Sequence, residues 1–581
     1  MMSIAREKRN CRSRREEPMS RSCQDTRRNR FTRRDLLIGT IALGSTLLAA
    51  CGNQSQGTSA PATSQTAGIG STSTQQSMPA ATPRGTTPTV IKQRPVLRIG
   101  VQGLPPNLDP HQQLSNVGTR VTYSIFDYLI RRDFLSGPQP GNGFQLVPWV
   151  AQEWKRLDDF TIEFTLREDV KFHDGTKLTA DDVLFTFERL LQNTPDPLRE
   201  AASYFSTVAE VKALDSRHIR FITKYPDPIF EKRISSWGGW LLPRAAYEKL
   251  GMDEFARRPV GTGPYRVAEF VPDDRLILEP HDDYFGGKPT ASRIIFKVIP
   301  EIQARVTALI AGEVDLITNV PPDQLPVLQR ASDIEIHSIP LANCHVLRYN
   351  CNHPVLKDKR LRQALNLAIN RELLVKTLWN GQAVLMRSHQ FQDYGSLYNT
   401  QRPYLPYDPQ RAKELVQASG YDGSTIRYNN KPGYYTLGNE AAQAIVEMWR
   451  EIGIKAEVQL IYWADLPKEE RMVGSWSNSN YLADPEGAFW LRWGPGTATQ
   501  RDWWTPENPR FNELGEQQRR TLDQQFRYQA FQQALDIWEE EAPGTVLWIP
   551  IEHYAIRRTV RWTPYSFYYM DLRPDNLSFF S

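Results

Sequence analysis

Cysteine is scarce in this chain of 581 residues, which contains only five. Three of them lie near the N-terminus: Cys11, Cys23 and Cys51. Disulfides therefore cannot be the main support of so long a chain. The other two, Cys344 and Cys351, fall in one predicted strand at an odd spacing, which places them on opposite faces. We expect two free, partly buried thiols here, and neither a disulfide nor a metal site shared with His345 and His353.

The sequence also lacks the short motifs of common hydrolytic, metal and redox sites. It has no Gly-x-Ser-x-Gly elbow, no His-Glu-x-x-His pair and no Cys-x-x-Cys pair. Its nine histidines include His173-Asp174, in a predicted turn, and Glu552-His553, in a predicted strand. We expect no enzymatic activity, no cofactor and no bound metal. A secreted hydrolase stays open as the alternative from another class of protein.

A large surplus of one charge is absent from the body of the chain. The net charge of the full chain is +4, but residues 1–50 hold 12 of the 70 basic residues and 5 of the 66 acidic ones. The remainder carries 58 basic and 61 acidic side chains, a net charge of −3. We therefore expect no surface for nucleic acid. The body is long enough for two or three lobes.

The one long apolar run, residues 36–50, is shorter than the roughly 20 residues that span a bilayer. It follows Arg33 and Arg34 and ends at Leu48-Ala-Ala-Cys51. These features resemble a twin-arginine export signal followed by a lipobox, in which Cys51 is lipidated. Residues 1–50 are thus interpreted as a signal peptide. The export route, twin-arginine or general, and the start codon, Met1 or Met19, stay open.

Residues 51–94 contain little charge and few large apolar side chains. Such a composition cannot bury a core, so we expect a disordered linker behind the lipidated cysteine. Acyl chains on Cys51 would anchor the protein to the outer face of the bacterial cell membrane. That face borders the periplasmic space where an outer membrane exists.

The clearest structural pattern lies in residues 159–189. Apolar and polar side chains alternate through Thr161–Leu166, which is typical of a half-buried strand. A turn follows at His173-Asp174-Gly175. Thr179 then precedes two acids, and apolar residues recur at helical spacing through Leu191. This pattern predicts a helix with a capping box at its start.

The same region opens a set of five motifs that resemble extracytoplasmic solute-binding protein family 5. These proteins are the receptors of ABC importers for dipeptides, oligopeptides and nickel. The motifs follow the family's order and extend over nearly the whole body. They lie at Ala151–Val183, Pro259–Tyr265, Glu301–Leu316, Asp358–Leu374 and Tyr407–Tyr421.

The resemblance implies an α/β fold of the periplasmic-binding-protein type, with two lobes, a hinged cleft and an extra third domain. We expect lobe I at approximately 95–115, 236–348 and 536–581, the extra domain at 116–235 and lobe II at 349–535. It also implies a monomeric receptor that binds a peptide or another small polar solute in the cleft. The receptor would deliver this solute to the membrane permease of an ABC importer.

Specificity is expected in residues 473–489. Peptide-binding members of the family usually have a Trp there, and then an acid that neutralises the amino terminus of the peptide before an Asp/Glu-Pro pair. Here Trp476 and Asp484-Pro485 are present, but Ser, Asn and Tyr occupy the interval. The candidate ligand-binding residues are Trp476, Ser477, Asn478, Asn480, Tyr481, Asp484, Trp463 and Trp240.

The missing acid weakens the case for peptides bound by a free amine. It favours a neutral polar solute such as an oligosaccharide, or a peptide-like ligand without that anchor. A nickel-type receptor would need histidine or a chelator pocket, which this segment lacks.

Overall fold

The structure, a computed structural model, describes residues 94–112, 115–136, 141–143, 145–192, 194–506 and 508–580. The expected export signal, the lipidated Cys51 and nearly all of the linker lie outside these residues. Within the described ranges, no helix has both the length and the apolar character needed to cross a membrane.

The described residues form a mixed α/β structure. The strands are Val96–Val101, Ile130–Asp133, Gln145–Pro148, Ala151–Arg156, Thr161–Leu166, Val208–Ala213, His218–Thr223, Tyr265–Val271, Arg275–Pro280, Arg293–Val298, Leu316–Ile317, Ile334–Pro340, Asn343–Tyr349, Ala383–Val384, Ile426–Asn429, Ala456–Gln459, Val473–Ser479, Gly544–Arg557, Val560–Trp562 and Leu577–Phe579. The α-helices are Asn116–Thr122, Ala180–Leu191, Arg199–Ser203, Phe230–Ile234, Arg244–Arg257, Ile302–Ala311, Leu325–Leu328, Lys359–Leu367, Arg371–Leu378, Pro409–Ser419, Gly438–Glu451, Leu491–Trp493, Ala498–Trp503, Pro509–Gln518 and Gln524–Glu541.

Twelve strands form one sheet. We call its strands up to Ile334–Pro340, with the residues packed on them, the first half of the body, and those from Asn343–Tyr349 to Val473–Ser479 the second half. Ile334–Pro340 and Ala383–Val384 pair with Gly544–Arg557 beside the main path. We call Gly544–Arg557 the shared strand. The order along the main path is Ala456–Gln459, Ile426–Asn429, Val473–Ser479, Asn343–Tyr349, the shared strand, Leu316–Ile317, Val96–Val101, Arg293–Val298, Arg275–Pro280 and Tyr265–Val271.

The shared strand belongs to both halves of the sheet. Its first residues, Gly544–Trp548, pair with Asn343–Tyr349, and its later part, from Ile551 onward, pairs with Ile334–Pro340. The chain therefore passes between the halves twice, once along the shared strand and once at Leu341-Ala342. The main apolar core of the first half also includes Tyr481 and Leu482, and the second half packs around two further clusters. The expected two-lobed α/β fold is confirmed.

A second sheet of four strands forms beside the first half. Its strand Thr161–Leu166 has a buried side chain at every second position, which confirms the predicted alternation. The helix Ala180–Leu191 begins directly after Thr179, as predicted. The backbone N–H of Thr179 donates to the carboxylate of Asp182 at 2.9 Å, so the capping box is present. The order of the sheet is Ala151–Arg156, Thr161–Leu166, His218–Thr223, Val208–Ala213.

The lobe boundaries stay a prediction, but one helix and one pair of strands favour moving two of them. Residue 536 falls inside the continuous helix Gln524–Glu541, whose side chains Phe531 and Trp538 pack in the core of the second half. A boundary there would cut a helix away from its own core. The strand Asn343–Tyr349 also pairs within the second half, so a boundary at Leu341-Ala342 suits the sheet better than one at 348.

The turn at His173 packs against the motif Pro259–Tyr265. The Nδ1 atom of His173 accepts a hydrogen bond from the N–H of Gly261 at 3.1 Å, and its Nε2 donates to the carbonyl oxygen of Gly263 at 3.0 Å. A Cβ atom at Gly261 would lie 2.0 Å from the carbonyl oxygen of Ile125. The close packing of the motif on the backbone at Ile125 therefore requires glycine at position 261. Both ring nitrogens of His173 thus serve the fold.

Asp127 is a fully buried carboxylate that joins distant parts of the chain. It accepts hydrogen bonds from Trp149 Nε1 at 2.7 Å and Thr262 Oγ1 at 2.9 Å. Arg573 Nη2, close to the C-terminus, donates to it at 2.7 Å. Because this charge is paired and hydrogen-bonded, removing it would leave buried donors without a partner.

We predict that Asp127→Ala lowers the free energy of unfolding by about 3–5 kcal/mol, the usual effect of breaking one side of a buried ion pair. The matched control is Asp169→Ala, which removes an exposed carboxylate paired with Arg167 and should change stability by about 1 kcal/mol or less. Urea unfolding monitored by circular dichroism would measure both. Equal effects of the two substitutions would contradict the role given to Asp127.

Candidate functional site

A large cleft lies between the second half of the sheet and the parts of the chain that face it. Its volume is about 1040 Å³, at the upper end of the range of about 300–1,000 Å³ that is usual for ligand sites. Its wall comes from residues after the first strand, at 104–106 and 115–117, from residues 199–206, and from the second half, between 348 and 519. A solute in the cleft would therefore contact both lobes.

The strand Val473–Ser479 presents Trp476 to the cleft. It pairs antiparallel with Asn343–Tyr349 and parallel with Ile426–Asn429, so its backbone is held on both sides. The indole N–H of Trp463 donates to the carbonyl oxygen of Ser475 at 3.2 Å. This hydrogen bond fixes a second tryptophan against the same strand.

Four of the eight candidate residues lie on the wall of the cleft: Trp476, Ser477, Tyr481 and Trp463. The two indoles offer flat apolar faces, and the two hydroxyl groups offer hydrogen bonds. Their contact with a solute stays a prediction.

Asn478 and Asn480 are buried and lie outside the cleft wall, so their position does not favour the predicted contact with a solute, which stays a prediction. Asn478 Nδ2 donates to Nε2 of His389 at 2.8 Å and to the carbonyl oxygen of Ala488 at 2.6 Å. Asn480 Nδ2 donates to Oδ1 of Asp393 at 2.7 Å. Both amides are buried and use their donors inside the protein.

Asp484 and Trp240 also lie away from the cleft wall, and their predicted contact with a solute is likewise not favoured by their position. The carboxylate of Asp484 is buried and accepts from Nη2 of Arg527 at 2.7 and 2.9 Å. The ring of Trp240 stacks on Tyr128, with 3.8 Å between the ring centroids, in the core of the first half. Both residues thus stabilise the fold.

Arg348 also lies on the wall of the cleft, although it is not among the residues predicted from the sequence. Its guanidinium carbon is 4.1 Å from the centroid of the Trp463 ring and 4.2 Å from that of Trp476. Arg348 belongs to the strand Asn343–Tyr349, in which every residue is buried. A signal was available in the run Val346-Leu347-Arg348-Tyr349, because arginine is rarely buried in an apolar strand without a specific partner.

A polar cluster around Asp393 joins the two sides of the cleft near Tyr481. Arg132 Nη2 donates to the carbonyl oxygen of Tyr481, and Lys232 Nζ donates to that of Ala483 at 2.9 Å. Burial raises the pKa of Asp393 to about 6, although the positive charges of Arg132 and Lys232 act to lower it. The carboxyl group thus titrates close to neutral pH.

The described part of the chain contains no group of three or more His, Cys, Asp or Glu side chains placed to hold a metal ion. Cys344 and Cys351 are buried free thiols, as expected. Burial also lowers the pKa of His345 to about 4, and its ring contacts the aromatic rings of Tyr435 and Trp548. These residues pack within the second half.

Comparison with known proteins identifies the family. The pattern described as bacterial extracellular solute-binding proteins, family 5 Middle, matches residues 145–501. This chain belongs to that family. Membership places it among solute-binding proteins of ABC importers, which are not enzymes, and agrees with the order of motifs from Ala151 to Tyr421.

Individual relatives agree with this placement. A di/tripeptide-binding protein of Pseudomonas aeruginosa is 26% identical over 493 residues, which cover 78% of this chain and 89% of the relative. The solved structure of Helicobacter pylori DppA with the peptide STSA matches with a TM-score of 0.74 at 23% identity, covering 84% of this chain and 98% of that one. Campylobacter jejuni NikZ with Ni(L-His) matches with a TM-score of 0.72 at 21% identity, covering 81% and 96%. One fold thus holds different ligands.

We predict that Asp393→Asn changes the pH dependence of stability. The folded-state pKa is about 6, above the ordinary 3.8, so this carboxyl group favours folding below about pH 4 and loses that contribution as the pH rises through 6. Wild type should lose on the order of 1–3 kcal/mol relative to the variant between pH 4 and 7.

Urea unfolding of both proteins at pH 4, 5.5 and 7 measures this difference, and contributions from all other groups cancel in the comparison. A difference in free energy of unfolding between the two proteins that stays constant across the three pH values would contradict the raised pKa of Asp393.

Proposed function

We propose that the protein is a lipid-anchored extracytoplasmic receptor of an ABC importer. It binds a peptide or another small polar solute in the cleft and delivers it to the membrane permease. The observation that carries this proposal is a cleft of about 1040 Å³ whose wall is formed by segments from both sides of the two chain crossings, at Leu341-Ala342 and in the shared strand. The ligands of the Pseudomonas and Helicobacter relatives, named as peptides, support the solute class.

The two crossings suit a hinge. A solute that contacts both walls favours the closed arrangement over the open one by its difference in affinity for the two, which is how ligand binding shifts a population. The backbone at Leu341-Ala342 and in the middle of the shared strand would absorb the rotation. No chemistry is performed on the solute, and the receptor acts as a monomer without nucleic acid.

An oligosaccharide is the second candidate solute. The observation in its favour is that both acidic residues on the cleft wall, Glu200 and Glu516, are paired with arginines. No described carboxylate on the wall is therefore left to receive a peptide's amino terminus. The indoles of Trp463 and Trp476 supply the flat faces on which sugar rings could stack.

The proposed receptor is anchored to the membrane through Cys51. Acyl chains on Cys51, after removal of residues 1–50, would hold the receptor at the membrane, and residues 51–94 would tether it. The support is the sequence pattern of Arg33, Arg34, the apolar run and the small residues before Cys51.

We predict saturable binding of a short peptide or an oligosaccharide by purified protein, and a loss of at least about tenfold in affinity on Trp476→Ala, the scale of a buried aromatic contact. Thermal-shift screening against peptides of two to six residues and against oligosaccharides would find the solute, and isothermal titration calorimetry would measure its affinity.

The matched control is Trp154→Ala, which removes a half-buried indole from the extra domain and should leave affinity unchanged. The absence of any saturable solute, or equal affinities of wild type and the Trp476 variant, would argue against the cleft as the binding site.

A second prediction concerns the anchor. Full-length wild type expressed in a bacterial host should partition with membranes and incorporate labelled palmitate, because Cys51 carries the acyl chains. Cys51→Ala should abolish both signals, whereas Cys23→Ala, in the segment that is removed, should retain them. Membrane partitioning of the Cys51 variant equal to that of wild type would refute the lipid anchor.

A further inference from the structure

Arg348 is a buried cation held among three tryptophans. Its exposed fraction is 3%. Its guanidinium carbon lies 4.1 Å from the ring centroid of Trp463, 4.2 Å from that of Trp476 and 4.8 Å from that of Trp503. The rings stabilise the charge through their π faces, but they leave the N–H groups at the edge of the guanidinium without acceptors.

The hydrogen bonds of Arg348 are incomplete. Nη1 donates to Oγ1 of Thr499 at 3.1 Å, whereas Nε and Nη2 are buried and have no partner among the described residues. Burial lowers the pKa of Arg348 to about 9, and the positive charges of Arg492 and Arg471 act in the same direction. A buried charge without a counter-ion is strongly unfavourable, so this site favours an anion.

The acids on the cleft wall do not supply that anion. Glu200 pairs with Arg492, and Glu516 pairs with Arg520 at 2.6 Å. Both carboxylates are therefore already committed to other arginines.

A second cation on the wall also lacks a carboxylate. Lys431 Nζ lies 4.5 Å from the ring centroid of Tyr434 and 5.0 Å from that of Tyr462. It makes no ion pair with a described residue. The wall thus presents two cations without counter-ions and no described carboxylate without one.

The free edge of Arg348 has a specific shape. Nε and Nη2 lie on the same side of the guanidinium, and their two parallel N–H groups match the two oxygens of a carboxylate. We propose that the solute is a carboxylate-bearing compound whose carboxylate binds Nε and Nη2 of Arg348, with Lys431 as a second positive contact. This inference rests on the proposed function, since it assigns the chemistry of the solute in the same cleft.

Access to this edge requires a movement of the wall. Nε and Nη2 are closed to solvent, and the indole of Trp463, which lies in the short turn Trp463–Asp465, covers one face of the guanidinium. Opening of the cleft with a swing of this half-exposed side chain would admit the carboxylate, and its return would cover the ion pair.

The test uses short peptides in four end chemistries. Mixed tripeptide and pentapeptide libraries without Asp and Glu are prepared with both ends free, with the amino end acetylated, with the carboxyl end amidated, and with both ends blocked. The free and acetylated forms should bind, and amidation should weaken binding at least about thirtyfold, as expected for loss of one side of a buried charge pair.

Substitutions at Arg348 and Lys431 test whether these residues cause the weaker binding of amidated peptides. Arg348→Met should reduce the affinity ratio of free to amidated peptide to about one, which a merely structural role of Arg348 would not do because it would weaken both forms equally. Lys431→Met, at a half-exposed position, should reduce the ratio in part. The control Arg411→Gln changes an exposed arginine away from the wall, one paired with Glu414, and should leave the ratio unchanged.

The outcomes separate the two proposals. Equal binding of free and amidated peptides, or binding of neutral oligosaccharides alone, would overturn the carboxylate while leaving the receptor function in place. No binding by any peptide form or oligosaccharide would overturn both. If the Arg348 variant fails to fold, as judged by circular dichroism, the comparison of end chemistries on wild type and on the Lys431 variant still decides.

Discussion

The backbone hydrogen bonds of the shared strand are the constraint on which the rest of the structure depends. Gly544–Arg557 pairs first with Asn343–Tyr349 and then with Ile334–Pro340, so one strand fixes the position of both halves of the sheet. The strand that carries Trp476 lies one place further along this ladder. The cleft wall therefore stands on the element that also joins the lobes, and a rotation of the lobes moves the two walls as rigid surfaces.

The chemistry of the cleft follows from the balance between paired and unpaired charges. Asp127, Asp484 and Glu552 are buried carboxylates with nearby arginines or other donors, as the low dielectric of an interior demands. Arg348 departs from that rule, since aromatic faces take the place of a counter-ion. Departures of this kind concentrate where a protein meets its ligand. The aromatic character of the wall thus serves charge as well as apolar contact.

Sequence patterns predicted local structure well and spatial neighbours poorly. Thr161–Leu166 and Ala180–Leu191 were predictable because their side-chain periods and the cap at Thr179 are local signals. The position of Trp476 on the cleft wall was predictable because its strand follows the family's order of motifs. The burial of Asn478, Asn480 and Trp240 depends on partners far away in the chain, such as His389 for Asn478. Arg348 was missed because the tryptophans around it come from segments more than a hundred residues later.

The position of the shared strand along the chain also bears on the order of folding. Its partners begin at Leu316, so its contacts have high sequence separation, which slows folding. During synthesis each half of the sheet lacks this neighbour until the end of the chain has emerged, and the four strands that pair with it stay without that partner meanwhile. The lobes are separate as bodies but not as folding units. A chain cut before Gly544 would leave both of them unfinished.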